Sequence, residues 1–119
     1  MKEIVFDSSA WLEYFSGSKP GAKVKKIVNS NLIIYTSVIS LAEIKNKFVR
    51  ENKDYREWIL FILNRSKIIN VNTEMAIKVG NEKNKWKLHM IDALIYSIAE
   101  KLNTKLITKD SDFKHLENV

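Results

Sequence analysis

Short apolar runs alternate along the chain with longer stretches in which apolar residues recur every three or four positions. The runs are typical of strands buried on both faces, and they cover Glu3–Phe6, Leu32–Tyr35, Lys67–Val71 and Lys105–Thr108. The periodic stretches predict amphipathic helices, and the clearest apolar stripe, which should be buried, consists of Ile91, Ile95, Ile98 and Leu102. Strands that alternate with helices predict a mainly parallel sheet with helices on both faces.

Capping and breaking residues place the helix boundaries. Helices are expected to begin at Ser8 or Ser9, near Pro20, at Ser37 or Ser40, at Asp54, at a Thr73 cap and at Met90. Gly80 costs about 1 kcal/mol inside a helix, so the fifth helix either bends or stops there. The polar stretch 81–89 is then either a mobile basic arm or a continuation of the same helix.

Length and composition limit the class of protein. A chain of 119 residues, 45% of them hydrophobic, is sufficient for one core, so a single domain over residues 1–119 is expected. No apolar run approaches the ~20 residues of a membrane span, and the chain meets an acidic residue before a signal peptide could form, which predicts a cytoplasmic protein. The lack of cysteine excludes disulfides and thiolate chemistry. The net charge of +6 favours a nucleic-acid partner, although a lysine-rich genome would explain it equally well.

Carboxylates stand where predicted strands end or helices begin. Asp7 and Asp110 directly follow strands, and Asp92 lies in the first turn of the helix before the last strand. Ligands of parallel α/β sheets bind at the carboxyl ends of the strands, which makes this edge the candidate site. For Asp92 the helix dipole, worth roughly 0.3–1 kcal/mol, is an alternative explanation. Glu43 lies off the apolar stripe of its helix, where a surface pair with Lys47 is the simpler interpretation.

Convergence of these four carboxylates would require charge compensation. Two like charges ~4 Å apart repel by about 4 kcal/mol at an effective dielectric of ~20. Oxygen ligands without cysteine favour Mg²⁺ or Mn²⁺ over Zn²⁺, and a cation held by acids recruits phosphate. The pattern therefore predicts metal-assisted hydrolysis of phosphodiester bonds. A nucleotide-binding site is disfavoured because no glycine-rich phosphate loop follows a strand.

Three segments, taken in order, carry a family resemblance: VFDSSAWLEYF, SVISLAEIKNKF and IDALIYSIAEKLNTKLITKDSDFKHLENV. Together they resemble the PIN-domain ribonucleases of the VapC toxin type. The resemblance implies a PIN-like three-layer α/β/α fold with a central, mainly parallel sheet of four to five strands. The fifth strand is expected to be vestigial, because the chain stops at Val119.

Residue roles are also implied by the resemblance. By this resemblance the catalytic metal site consists of four acids, Asp7, Glu43, Asp92 and Asp110. Thr108 and Ser8 would support these acids, and Asp112 is either a further metal ligand or the cap of a short final helix. His89 either contacts RNA or is a surface residue. Whether one metal ion or two would act is left open.

The implied activity is that of a Mg²⁺- or Mn²⁺-dependent endoribonuclease that cleaves structured RNA such as tRNA or rRNA. Such a toxin is expected to form a homodimer and to be neutralised by a small VapB-like antitoxin. The broad apolar helix around Trp58 would suit either contact, or belong to the core. The alternative is a catalytically silent PIN-like RNA-binding or scaffolding module. A response-regulator receiver is disfavoured because Ser8 and Asn72 occupy positions where receivers carry acids.

Overall fold

The computed structural model describes residues 2–17, 19, 21–110, 113 and 116. Its elements are β1 (Glu3–Phe6), α1 (Ser8–Ser16), α2 (Gly21–Val28), β2 (Ile33–Ser37), α3 (Val38–Arg50), α4 (Arg56–Arg65), β3 (Lys67–Ile69), α5 (Thr73–Trp86), α6 (Met90–Lys101) and β4 (Lys105–Ile107). All strand pairs are parallel, and the order across the sheet is β3-β2-β1-β4. The predicted parallel sheet is confirmed, with four strands in the described part of the chain.

Strand β1 lies inside the sheet, and its side chains alternate between the two faces. Ile4 and Phe6 pack in a core with residues of α1, α2, α3 and α4, whereas Val5 packs in a second core with α5 and α6. All three side chains are completely buried. The molecule therefore has the predicted three layers, with helices on both faces of the sheet.

The order in which strands are added to the sheet reverses between β1 and β4. The first three strands are laid down side by side in one direction, and β4 returns to the free side of β1. This is the topological switch point at which α/β sheets open a crevice beyond the carboxyl ends of their strands. Asp7 follows β1 and the segment 108–110 follows β4, so both flank this crevice.

Two of the predicted helix caps are wrong. Asp7, and not Ser8 or Ser9, caps α1, because its Oδ1 accepts a hydrogen bond from the Ala10 N–H. Asn72 caps α5 in place of Thr73. The side-chain oxygens of aspartate and asparagine are favourable at the cap position, because the first N–H groups of a helix have no partner in the helix itself.

Helix α5 resolves the question left open at Gly80. The helix passes through this glycine without a break and continues to Trp86, which is buried and makes an edge-to-face contact with Tyr96 of α6. The segment is therefore a continued helix up to its left-handed C-cap at Lys87. Packing of Trp86 in the core supplies an anchor that the polar composition of 81–89 hid.

The predicted stripe of α6 is only partly buried. Ile95 and Ile98 lie in the core and Leu102 is half-buried, but Ile91 is 45% exposed, contrary to the expectation. Residues on both sides of the stripe are buried as well, namely Ala93, Tyr96, Ser97 and Ala99. No helix within the described ranges combines the length and apolar character needed to cross a membrane.

Two contacts hold α2 against its neighbours. A Cβ atom on Gly21 would lie 2.6 Å from the carbonyl oxygen of Glu13, so α1 and α2 approach too closely for any larger residue there. Arg65, at the end of α4, donates hydrogen bonds to carbonyl oxygens of the α2 end and the loop that follows, at 2.8 Å to Val28 and 3.0 Å to Leu32. The guanidinium thereby satisfies carbonyls that the end of α2 leaves unpaired.

Candidate active site

Among the predicted site acids that the structure describes, Asp7 is the most buried, with 5% of its surface exposed. Its Oδ1 accepts hydrogen bonds from the Ser9 hydroxyl at 2.7 Å and from the Ala10 N–H at 2.9 Å. The Asp7 N–H donates to the carbonyl of Ile107 at 3.3 Å, which joins the end of β1 to the end of β4. The carboxyl group is thus fixed by its cap position and by the strand pairing.

Ser9 connects Asp7 to the segment after β4. Its hydroxyl oxygen accepts a hydrogen bond from the Lys109 N–H at 2.8 Å and lies 3.2 Å from Thr108 Oγ1. Thr108 Oγ1 in turn accepts from the Asp110 N–H at 3.0 Å. One hydroxyl on the first turn of α1 therefore contacts both strand ends at the switch point.

Glu43 and Asp92 are supplied by two helices beside this centre. Glu43 lies on α3, and its Oε1 accepts a hydrogen bond from the Ser8 hydroxyl at 3.2 Å. Lys47 does not pair with it, because the Lys47 ammonium is 3.2 Å from Glu51. Asp92 is half-buried in the first turn of α6. The surface-pair interpretation of Glu43 is therefore wrong.

Charge interactions link all four acids. Burial raises the pKa of Asp7, and the charge of Asp110 raises it further. Hydrogen bonds from Thr108, Ser9 and Ala10 lower it but do not cancel the effect of burial. Partial burial likewise raises the pKa of Glu43; the hydrogen bond from Ser8 lowers it, and the charges of Asp92 and Asp7 add to the increase. The structure thus brings Asp7 within electrostatic range of Asp110, and Glu43 within range of Asp7 and Asp92.

The four carboxyl groups do not form a compact ligand cage. Among the described residues, no three histidine, aspartate or glutamate side chains lie close enough together to hold one metal ion. The donor chemistry is nevertheless uniform, since every acid at this edge offers oxygen, as Mg²⁺ and Mn²⁺ require. Glu43 also retains exposed surface, so its flexible side chain has room to turn towards the others.

Two further sequence predictions remain predictions. Asp112 lies outside the described residues. His89 is exposed and occupies the N-cap position of α6 without a side-chain capping bond, which agrees with a surface residue but tests no RNA contact.

The sequence predictions did not anticipate the contacts that Ser9, Glu13 and Lys109 make. Ser9 was considered only as a helix cap, and its role depends on the phase of α1, which the cap at Asp7 determines. Glu13 is 11% exposed and its Oε2 lies 3.0 Å from the ammonium of Lys109, across 96 residues of sequence separation that no local pattern reveals. The sequence shows only that Glu13 is an acid in the first predicted helix and that Lys109 is a base after the last predicted strand.

Comparison with known proteins identifies the fold. The family model of the PIN domain matches residues 4–119. No curated protein matches the chain closely enough to count as a relative.

Several solved structures share the fold over almost their whole length. VapC20 of Mycobacterium tuberculosis, described as a sarcin–ricin loop cleaving toxin, has 16% identity and a TM-score of 0.77, covering 98% of this chain and 96% of its own. A toxin–antitoxin complex from Klebsiella pneumoniae has 21% identity and a TM-score of 0.80, covering 98% and 94%. VapBC2 of Rickettsia felis, solved with a promoter DNA fragment, has 19% identity and a TM-score of 0.77, covering 98% and 95%. At these identities the likeness concerns the fold.

Proposed function

Because this chain belongs to the PIN domain family, we propose that it is a metal-dependent endoribonuclease that acts as the VapC-like toxin of a toxin–antitoxin pair. The observation that carries the proposal is the placement of four acids from four separate segments around the switch point of the sheet. Asp7 and Asp110 follow the paired ends of β1 and β4, and Glu43, held by the Ser8 hydroxyl, lies within range of the charges of Asp7 and Asp92. Packing does not require four acids there, and their mutual repulsion is unfavourable unless a cation or protons neutralise it.

The proposed metal ligands are Asp7, Glu43, Asp92 and Asp110, with Asp112 as a further candidate. Their oxygen atoms fit Mg²⁺ or Mn²⁺, and a divalent ion held there would supply Lewis-acid activation of water and of a phosphate oxygen. The protein's own contribution is orientation. The Ser8 hydroxyl holds Glu43, and the hydroxyls of Ser9 and Thr108 hold Asp7.

The proposed substrate is structured RNA such as tRNA or rRNA, which the net charge of +6 would attract. A small VapB-like antitoxin is the proposed inhibitor, and the neighbours solved as toxin–antitoxin complexes support this partner. Helix α4 offers an apolar face for it, or for a second copy in a homodimer, since Trp58, Leu60 and Leu63 are 37%, 58% and 46% exposed. The inner side of α4 belongs to the core through Ile62.

A catalytically silent RNA-binding module is the second candidate. It is favoured by the separation of the acids, no three of which meet at metal-binding distance in the described part of the chain. Both candidates bind RNA, so only a test of bond cleavage separates them.

The test is incubation of the purified protein with a pool of small RNAs and Mg²⁺ or Mn²⁺, with EDTA and the Asp92→Asn variant as controls. The proposal predicts discrete products that need both the metal and the aspartate. A matched control is Glu74→Gln, since Glu74 also lies in the first turn of a helix but is exposed on α5. If Asp92 acts only on its helix dipole, both variants will cleave RNA like the wild type, and the proposed role of Asp92 is then wrong.

A further inference from the structure

Within the segment 108–110, Lys109 is attached to α1 at two points. One is the hydrogen bond from the Lys109 N–H to the Ser9 hydroxyl at 2.8 Å, and the other is the ion pair between the Lys109 ammonium and Glu13 at 3.0 Å. Ser9 and Glu13 are four residues apart, so they lie on the same side of the helix. Lys109 is thus held at its backbone and at the end of its side chain by one face of α1.

This attachment matters because β4 is a three-residue strand at the edge of the sheet. It pairs with β1 alone among the described strands. Short edge strands make few ladder hydrogen bonds and open locally more easily than central ones. Side-chain contacts beyond the strand end therefore have a large influence on where Asp110 lies.

Burial makes the ion pair more than an ordinary surface contact. The Glu13 side chain is 11% exposed, whereas that of Lys109 is 67% exposed. A largely buried carboxylate requires a compensating partner, which favours the geometry in which Lys109 reaches back to α1. Glu13 itself is fixed, because its backbone carbonyl lies against Gly21 at the close approach of α1 and α2.

We propose that Glu13, acting through its ion pair with Lys109, is a positioning residue that holds the backbone of 108–110 so that Asp110 faces Asp7. The ammonium of Lys109 is then occupied by Glu13 and serves as a structural anchor. An independent role of Lys109 in binding RNA phosphate is the competing explanation. The inference rests on the proposed nuclease function only for its effect on catalysis; the position of the segment is testable without it.

The first readout is independent of activity. Amide hydrogen exchange of Lys109 and Asp110 is measured by NMR in the wild type and in Glu13→Gln, Lys109→Met and the double variant. The proposal predicts that exchange at both amides accelerates at least severalfold in all three variants, while amides of β1 are unchanged. Unchanged exchange at 109 and 110 would overturn the proposal whether or not the protein cleaves RNA.

The second readout is the kinetics of RNA cleavage as a function of Mg²⁺. Since a displacement of about 1 Å can reduce a rate a hundredfold, a partial release of Asp110 should lower kcat by about fivefold to tenfold. The Mg²⁺ concentration for half-maximal rate should rise in parallel, and KM for RNA should change less than twofold. The double variant should be no worse than either single one, because both remove the same interaction.

Two control variants separate positioning from its rivals. Lys109→Arg keeps the ion pair, so its kcat and its Mg²⁺ dependence should equal those of the wild type. Lys78→Met breaks another pair between two elements, the 3.3 Å contact with Glu100, and should leave both readouts as in the wild type. If Glu13→Gln retains the wild-type kcat while Lys109→Met raises KM, Lys109 binds phosphate independently and the proposal is wrong. If the wild type cuts no RNA, the nuclease proposal fails, and the exchange data alone decide this one.

Discussion

Replacing Asp7 by asparagine should make the metal-free protein more stable while abolishing its proposed activity. Asparagine keeps a side-chain oxygen that can accept the hydrogen bonds from Ser9 and from the Ala10 N–H, so the cap of α1 is preserved. What disappears is a negative charge on a group that is 95% buried and repelled by Asp110. Active sites commonly pay such a cost in stability for function.

The expected gain is small but measurable. Loss of hydration on burial is the main reason why the ionised Asp7 carboxylate is unfavourable, and repulsion by Asp110 adds to it. For scale, two unit charges on the order of 6 Å apart repel by about 3 kcal/mol at an effective dielectric of about 20, and solvent at the half-exposed Asp110 reduces this. Hydrogen bonds to an ionised acceptor are stronger than those to an amide by about 1 kcal/mol, which offsets part of the gain. A net increase of about 1 kcal/mol in the free energy of unfolding remains, equivalent to about 4 °C in Tm for a domain of this size.

The pH dependence gives the sign of the effect. Burial raises the pKa of folded Asp7 above the ordinary value of 3.8, so the folded protein binds this proton more readily than the unfolded chain. The ionised carboxylate therefore destabilises the wild type above its raised pKa, and the penalty vanishes as the pH falls below about 3.8. The advantage of Asp7→Asn should be largest at neutral pH and should disappear in acid.

Urea denaturation in EDTA at several pH values measures this difference. Asp54→Asn is a matched control, because Asp54 also accepts a backbone hydrogen bond, from the Arg56 N–H at 3.0 Å, but is 74% exposed. The control should gain no stability. A loss of stability in Asp7→Asn at pH 7, or a gain that does not depend on pH, would refute the reasoning from burial and like charge.

Three further predictions concern stability. Gly21→Ala should lower the free energy of unfolding by about 1–3 kcal/mol, because the new Cβ would lie 2.6 Å from the Glu13 carbonyl oxygen. Gly80→Ala should raise it by about 0.5–1 kcal/mol, because the new Cβ would have nothing within 4 Å. Thermal unfolding of the two variants should therefore show shifts in Tm of opposite sign. Arg65→Lys should cost about 2 kcal/mol in urea denaturation, because an ammonium cannot replace the guanidinium bonds, while Arg56→Lys, 82% exposed, should cost almost nothing. Mg²⁺ at about ten times its Kd should stabilise the wild type by about 1.4 kcal/mol, and EDTA should reverse the shift in Tm.

The positions of the strands were predictable because the signals for strands are local. Buried strands read as apolar runs, and the β1 prediction of Glu3–Phe6 agrees with the structure residue for residue. Asn103, just after α6, has the left-handed conformation that asparagine tolerates at the end of a helix. These features depend on neighbouring residues alone, so no knowledge of the tertiary structure was needed.

Features decided by tertiary packing were not predictable in the same way. The periodicity of α6 gave equal weight to Ile91 and Ile95, but only the second lies under a neighbouring layer. Gly80 suggested a helix break, which the burial of Trp86 further along the helix overrides. The contact of Glu13 with Lys109 joins α1 to the segment that follows β4, and no pattern within either segment indicates it.

The candidate site lies between these two cases. The positions of Asp7 and Asp110 after strands predicted that they flank one crevice, and the topology agrees. The convergence of Glu43 and Asp92 on the same place could come only from the family resemblance, because their spacing allowed a surface pair and a dipole effect instead. The hydrogen bonds of the Ser9 hydroxyl could not be predicted, because they depend on which residue caps α1.

The most direct test of the proposed metal site is a crystal structure of the protein with Mn²⁺ and an uncleavable RNA analogue, with the metal located by its anomalous scattering. A peak is expected at bonding distance from carboxylate oxygens of Asp7 and Asp110, with an RNA phosphate oxygen in the same coordination shell. RNA bound at this edge of the sheet without a Mn²⁺ peak among the four acids, or Mn²⁺ bound only elsewhere, would contradict it.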